Sequence, residues 1–231
     1  MCCRTALFCW VAFGVGTLAG TITSLQYQKR AADRVNVYLD GQYAFALPDL
    51  VAATLRIGQF LSDADIAKLE AEDSLQKAYD RAVRFLSFRP RSVAEVRQYL
   101  AQAEAGYSAE LVEAVITRLS EQGYLNDAEF ARFWVDNRQR FRPKGAYALR
   151  QELRQRGVEN EAIETALANV DALEAAQQAA RPRAERLAAL AQADPPAFRR
   201  KLTDFLLRRG FGYDVAEEVV EALYKELTHN P

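Results

Sequence analysis

Three glycines set the organisation of this chain. Gly106, Gly157 and Gly210 stand 51 and 53 residues apart, and each follows a helical pattern whose last leucine is Leu100, Leu153 or Leu206. The residue after each glycine is apolar: Tyr107, Val158 and Phe211. Six residues on come Val112, Ile163 and Ala216; nine on, Val115, Ala166 and Val219; ten on, Ile116, Leu167 and Val220; thirteen on, Leu119, Val170 and Leu223. Steps of three and four residues put these positions on one face of a helix. A glycine behind a helix supplies the left-handed residue that ends it. The register therefore predicts tandem three-helix units of about fifty residues over roughly 75–228. Such a unit buries little apolar surface alone, so neighbours are expected to stack in an elongated array.

The second unit is the most legible. Asn126 can cap a helix, with Glu129 placed to close a capping box. Phe130, Phe133, Trp134 and Phe141 fall on one face of that helix. Pro143 and Gly145 break it. A second helix follows with Leu149 and Leu153 on one side and Arg150, Arg154 and Arg156 near the other, and Gly157 takes the C-terminal cap. In the flanking units, Ser92 with Glu95 and Asp214 with Glu217 suggest capping boxes, and Asp194 before Pro195 marks another helix start.

Ahead of the repeats the period changes to two. Residues 21–28 form a strand pattern; Val35, Val37 and Leu39 alternate, Asp40-Gly41 signals a hairpin turn, and Tyr43, Phe45 and Leu47 return. This small antiparallel element is expected to cover the first helices rather than to form a docking edge. Pro48 opens a short helix expected to stop at Gly58, and Ser62 caps one running toward Leu86. The first twenty residues are an apolar leader. It has a signal-peptide pattern, is short for a membrane span, and is expected to reflect a start codon assigned too early, with Val15 or Leu18 as alternative starts. The expected division is leader 1–20, hairpin and helix region 21–74, and repeats at 75–126, 127–176 and 177–231. The fold class is mainly α, in tandem three-helix repeats behind a small β element.

Chemistry-bearing residues are scarce. The one histidine is His229, and the three cysteines, Cys2, Cys3 and Cys9, all lie in the leader. No nucleophile–base pair, zinc cluster or phosphate-binding glycine loop can be assembled, so no catalytic residue, cofactor or metal is expected. Net charge is −1, but its distribution is uneven. Residues 132–156 hold eight bases against Asp136 and Glu152, residues 159–174 hold five acids and no base, and residues 181–209 hold eight bases and three acids. The first two helices of the second and third units are thus basic and the last helix acidic. A charge run is often only a solvated face. Recurrence at corresponding places suits an acidic protein groove or a phosphate backbone instead.

Arg89-Pro90-Arg91-Ser92 with Glu95, Arg97 and Leu100, then Gly123-Tyr124-Leu125-Asn126-Asp127 with Phe130 and Ala131, then Lys144-Gly145 with Leu149, Leu153 and Gly157-Val158 together resemble the RecX family of recombination regulators. The resemblance covers about residues 20–228; the apolar leader departs from it. It implies tandem three-helix repeats that lodge in the RecA filament groove, restraint of RecA's strand-exchange, ATPase and coprotease activities, and a cytoplasmic location. It carries over no catalytic residue. From charge clustering, Arg138, Arg140, Arg142, Lys144, Arg150, Arg154 and Arg156 are the first candidates for the partner-binding surface, and Arg199, Arg200, Lys201, Arg208 and Arg209 the second. Four cations around the Arg138–Lys144 turn should repel one another, and an external acidic partner would relieve that. Reversal of Arg150 and Arg154 is expected to leave folding intact. The rival readings are direct binding of single- or double-stranded DNA by the same arginines and a scaffold tethered by the leader. Neither a small-molecule substrate nor a membrane is an expected partner.

Overall fold

The structure, a computed structural model, describes residues 19–29 and 33–229, so most of the leader, its cysteines included, lies outside the described residues. The chain divides into two compact units, one up to Lys77 and one from Ala78 onward.

In the first unit, β1 (Gly20–Tyr27), β2 (Arg34–Leu39), β3 (Gln42–Pro48) and β4 (Phe60–Leu61) form an antiparallel sheet of order β3-β2-β1-β4. Asp40 and Gly41 both take positive φ, 49° and 83°, the geometry that matches the twist of a two-residue hairpin. Val35, Val37, Leu39, Phe45 and Leu47 are buried as the alternation predicts. Tyr43 is not. The β2–β3 register shifts between Val37 and Tyr38, which carries Tyr43 off the Phe45 and Leu47 face. It stands exposed, edge-on to Tyr38. The helix opened by Pro48 is also shorter than expected: α1 spans Asp49–Ala52. Tertiary pairing takes the following residues, because Gly58 N–H donates to Ile22 C=O and Ile22 N–H to Gln59 C=O, drawing the chain into β4.

The helix α2 (Asp63–Leu86) starts at Ser62, whose hydroxyl accepts from Asp65 N–H while the Asp65 carboxylate accepts from Ser62 N–H. The second unit continues with α3 (Val93–Ala101), α4 (Ala109–Glu121), α5 (Asp127–Phe141), α6 (Ala146–Gln155), α7 (Asn160–Leu167), α8 (Ala172–Arg186), α9 (Ala188–Ala193), α10 (Pro195–Arg208) and α11 (Tyr213–His229). The mainly helical class with a small N-terminal sheet is as the periodicity predicts. Ser92 and Glu95 form a full capping box, Asn126 accepts from Ala128 and Glu129 N–H, and Asp194 accepts from Ala197 N–H with Pro195 behind it. Asp214 is a correction: α11 begins at Tyr213, so Asp214 lies inside the first turn rather than at the cap. The third repeat also carries an unforeseen short helix, α9.

The registered apolar positions line the repeat cores. Val112, Ile163, Ala216, Ile116, Leu167 and Val220 are buried, as are Leu100, Leu153 and Leu206. Gly157 and Gly210 end their helices with positive φ, and the Val158 and Phe211 N–H groups reach back to Leu153 and Leu206 C=O, which closes the six-residue Schellman loop. Gly106 also has positive φ but lies in the loop beyond α3, which ends at Ala101. The α7 helix stops at Leu167, so Val170 follows it rather than completing its face.

Candidate interaction surface

The basic middle helices and the acidic last helices are each other's partners. Arg97 of α3 forms an ion pair with Glu113 of α4 (2.5 Å), Arg150 of α6 with Glu164 of α7 (2.6 Å), and Arg199 of α10 with Glu221 of α11. In the first two repeats the arginine stands three residues before the core leucine and the glutamate seven after the glycine. In the third repeat Thr203 occupies the arginine position. Both members there have moved one helical turn, to Arg199 and Glu221, which keeps each on its face and keeps the pair. Hydrogen bonding to the partner raises the pKa of Arg97, Arg150 and Arg199, and lowers that of Glu113, Glu164 and Glu221. Such exposed pairs add little stability, but they occupy cations that the charge pattern had offered to a partner.

The cationic turn of the second repeat is neutralised from within. Glu152 on α6 accepts from Trp134 Nε1 and Arg138 Nε, both at 2.8 Å, and from Lys144 Nζ. Burial pushes the Glu152 carboxyl up, yet these three donors outweigh it and hold it below the ordinary value. The guanidiniums of Arg138 and Arg156 both lie over the Trp134 ring, 4.2 and 3.9 Å from its centroid. The expected repulsion among Arg138, Arg140, Arg142 and Lys144 is therefore relieved in part by one internal acid, without an external one. The α5 aromatics divide as well. Phe130 is buried and Trp134 half-buried, whereas Phe133, at the edge of the face, and Phe141, the last residue of α5, are exposed.

Two further arginines join adjacent repeats. At the first joint the Ser92 hydroxyl, which caps α3, donates to Arg156 C=O (2.6 Å), while Arg156 Nη1 pairs with Glu95 (2.5 Å). Val93 N–H donates to the Asp127 carboxylate (2.9 Å). Burial raises the Asp127 pKa, the Val93 bond opposing it and the Glu159 charge adding to it. At the second joint Gly145 N–H, at the start of α6, donates to Arg209 C=O (3.0 Å), and Arg209 Nη1 donates to Pro143 C=O (3.1 Å). The start of one middle helix thus docks on the end of the next in both joints. Ala94 lies against Gly157 and Ala148 against Gly210, where a side chain would collide.

Of the twelve candidate cations, Arg138, Lys144, Arg150, Arg156 and Arg199 are held in ion pairs. Arg154 donates to the Asn160 side chain and Arg209 to a carbonyl. Arg140, Arg142, Arg200, Lys201 and Arg208 stand exposed. Charge runs alone could not make this division, because the acids lie on neighbouring helices. The repeat register held part of the signal: in the first two repeats the paired base and acid recur at matched offsets from the core leucine and the glycine. Among the described residues, no group of three or more His, Cys, Asp or Glu is placed to hold a metal ion, and no helix is long and apolar enough to cross a membrane.

Four family profiles match in order along the chain: the regulatory protein RecX N-terminal domain at residues 20–61, and the first, second and third RecX three-helix domains at 78–119, 126–167 and 171–220. The regulatory protein RecX of Bacillus pumilus is 31% identical over 212 residues, covering 88% of this chain and 77% of the relative. That of Lactobacillus delbrueckii subsp. bulgaricus is 35% identical over 207 residues, covering 89% and 75%. The chain belongs to the RecX family. A crystal structure of a regulatory protein RecX superposes with a TM-score of 0.69 at 29% identity, covering 87% of this chain and 98% of that one. RecX from Lactobacillus salivarius shares the fold, with a TM-score of 0.59 at 24% identity over 66% of this chain and 97% of that one. The resemblance carried by Arg89–Leu100, Gly123–Ala131 and Lys144–Val158 is thus a RecX signature. Several of its members are the joint and capping residues described above, Ser92, Glu95, Asn126, Asp127 and Gly145 among them.

Proposed function

We propose that this chain is a non-catalytic regulator of the RecA recombinase, acting in the cytoplasm by binding the RecA filament and restraining its ATPase and strand-exchange activities. The observation that carries this reading is the ordered run of four RecX domains from residue 20 to residue 220. The structure supports a binding role: its polar networks hold repeats together, and exposed cations remain at the end of α5, in the turn after it and along α10. Filament contact is assigned first to the exposed cations Arg140, Arg142, Arg200, Lys201 and Arg208. The paired residues Arg138, Lys144, Arg150, Arg156 and Arg199 would have to break internal bonds to serve.

The test is titration of RecA's ATPase on single-stranded DNA with this protein, where the expected result is inhibition that saturates. The charge assignment has its own check. Arg200→Glu with Lys201→Glu is expected to leave the melting curve nearly unchanged and to weaken inhibition about tenfold or more, because unpaired surface charges act on encounter and salt screens them. Arg150→Glu is a poorer probe than the sequence pattern suggested. It sets a new carboxylate against that of Glu164 and is expected to lower stability, confounding the readout. Full inhibition by the Arg200/Lys201 double variant at matched folded fraction would move the contact away from the third repeat.

A further inference from the structure

A basic cleft lies where α5, α8 and α10 end. It encloses about 410 Å³ and is lined by Arg142, Arg183, Arg186 and Arg209, by Phe141 and Phe205, and by no acidic side chain. That volume is within the range of ligand pockets, about 300–1,000 Å³. Among the described residues none of these four arginines belongs to an ion pair, whereas Arg138, Arg150, Arg156, Arg181 and Arg199 of the same unit do. The bland account is that cations complement helix C-termini. It falls short on charge. Three C-termini at about half a negative charge each, set against four guanidiniums, leave a surplus of roughly two and a half positive charges.

The aromatics narrow the ligand class. Phe205 is already covered, with Arg183 and Arg209 lying 5.0 and 4.7 Å from its centroid. Phe141 is 67% exposed at the mouth, with Arg140 at 5.6 Å. The Pro143 carbonyl holds the Arg209 guanidinium in place, so part of the site is ordered before anything binds. We infer that this cleft binds single-stranded nucleic acid, its phosphates held by Arg142, Arg183, Arg186 and Arg209 and one base stacked on Phe141. Guanidinium forks match phosphate oxygens two at a time. An exposed aromatic beside them stacks any base. An acidic peptide could use the forks, but its carboxylates offer no flat face to Phe141. Burial lowers the Arg209 pKa and the Arg142 charge adds to that, a strain an arriving phosphate would relieve. This contact does not require the recombinase, so it stands or falls separately from the filament reading.

The test is fluorescence anisotropy of a labelled poly-dT oligonucleotide with the full chain and no recombinase present. Arg183→Glu with Arg186→Glu is expected to bind at least about tenfold more weakly and to lower the slope of log affinity against log salt by about two. Phe141→Ala is expected to lose about 5- to 100-fold with the salt slope unchanged, and Phe141→Tyr to keep binding. Circular dichroism melts of all variants should match the wild type, since these side chains are exposed. Four results would overturn the assignment: no oligonucleotide binding by the wild type at low salt; equal binding by wild type and variants; an equal loss from the distant Arg200→Glu/Lys201→Glu pair, which would mean diffuse charge; or complete displacement of the oligonucleotide by polyglutamate of equal charge, which would assign the cleft to an acidic peptide.

Discussion

Gly145→Ala is expected to destabilise the second unit by about 3–5 kcal/mol and to uncouple its second and third repeats. The cause is space rather than backbone conformation. Gly145 has φ −71°, which any residue adopts, but an added Cβ would overlap the Gly210 carbonyl and the Phe211 amide. The joint has to open to admit it. Opening breaks the Gly145 N–H bond to Arg209 C=O and exposes the packing of Ala148 on Gly210. In a tandem repeat, stability is the sum of unit and interface terms, so loss of an interface splits one transition into two. Urea denaturation followed by circular dichroism reads both effects. Gly123→Ala is the control: its φ is +76° but its site is open, so only the left-handed strain of about 1–2 kcal/mol applies. If Gly145→Ala cost no more than this control, the joint would not be closed in solution.

The second large effect is expected at Glu152. Glu152→Gln should lose about 2–4 kcal/mol at pH 7, because Arg138, Lys144 and the Trp134 N–H keep their positions and lose a shared, partly buried carboxylate. The loss should depend on pH in a defined direction. The donors depress the folded-state pKa of Glu152 below the usual value of 4.5, so its contribution is fully present above that value and disappears as pH falls through the lower folded-state value. The difference between wild type and Glu152→Gln should therefore be flat from pH 7 to about pH 5 and shrink in more acid solution. Glu95, whose pKa burial raises but Arg89, Ser92 and Arg156 lower further, should add to the same acid loss at the first joint. Asp127 works the other way. Its raised pKa means that protonation on acidification relieves a penalty, so its replacement should not reproduce the Glu152 profile. A pH-independent difference for Glu152→Gln would show that the carboxylate acts by shape rather than by charge.

How much of the cationic surface is left for a partner follows from the same geometry. Seven of the twelve candidate cations are held inside the second unit, by ion pairs, an amide or a carbonyl. What remains for a partner is a smaller set at the end of α5, in the turn after it and along α10, of which Arg142 lines the cleft beside Phe141.

The sequence by itself determined the helical class, the three repeats, the hairpin turn at Asp40-Gly41 and most of the caps. These depend on local matters: side chains three and four residues apart share a helix face, and a left-handed residue at Gly157 or Gly210 ends a helix whatever surrounds it. Only the tertiary structure decided which arginines are available. Arg150 meets Glu164 across 14 residues, Arg156 meets Glu95 across 61, and the Ser92 hydroxyl reaches Arg156 C=O across 64. Such partners lie on different helices or in different repeats, where no period within one element can pair them. The same applies to Gly145, whose need for a missing side chain comes from Gly210 rather than from its own backbone. It applies as well to β4, which exists because Gly58 and Gln59 find Ile22 on another strand.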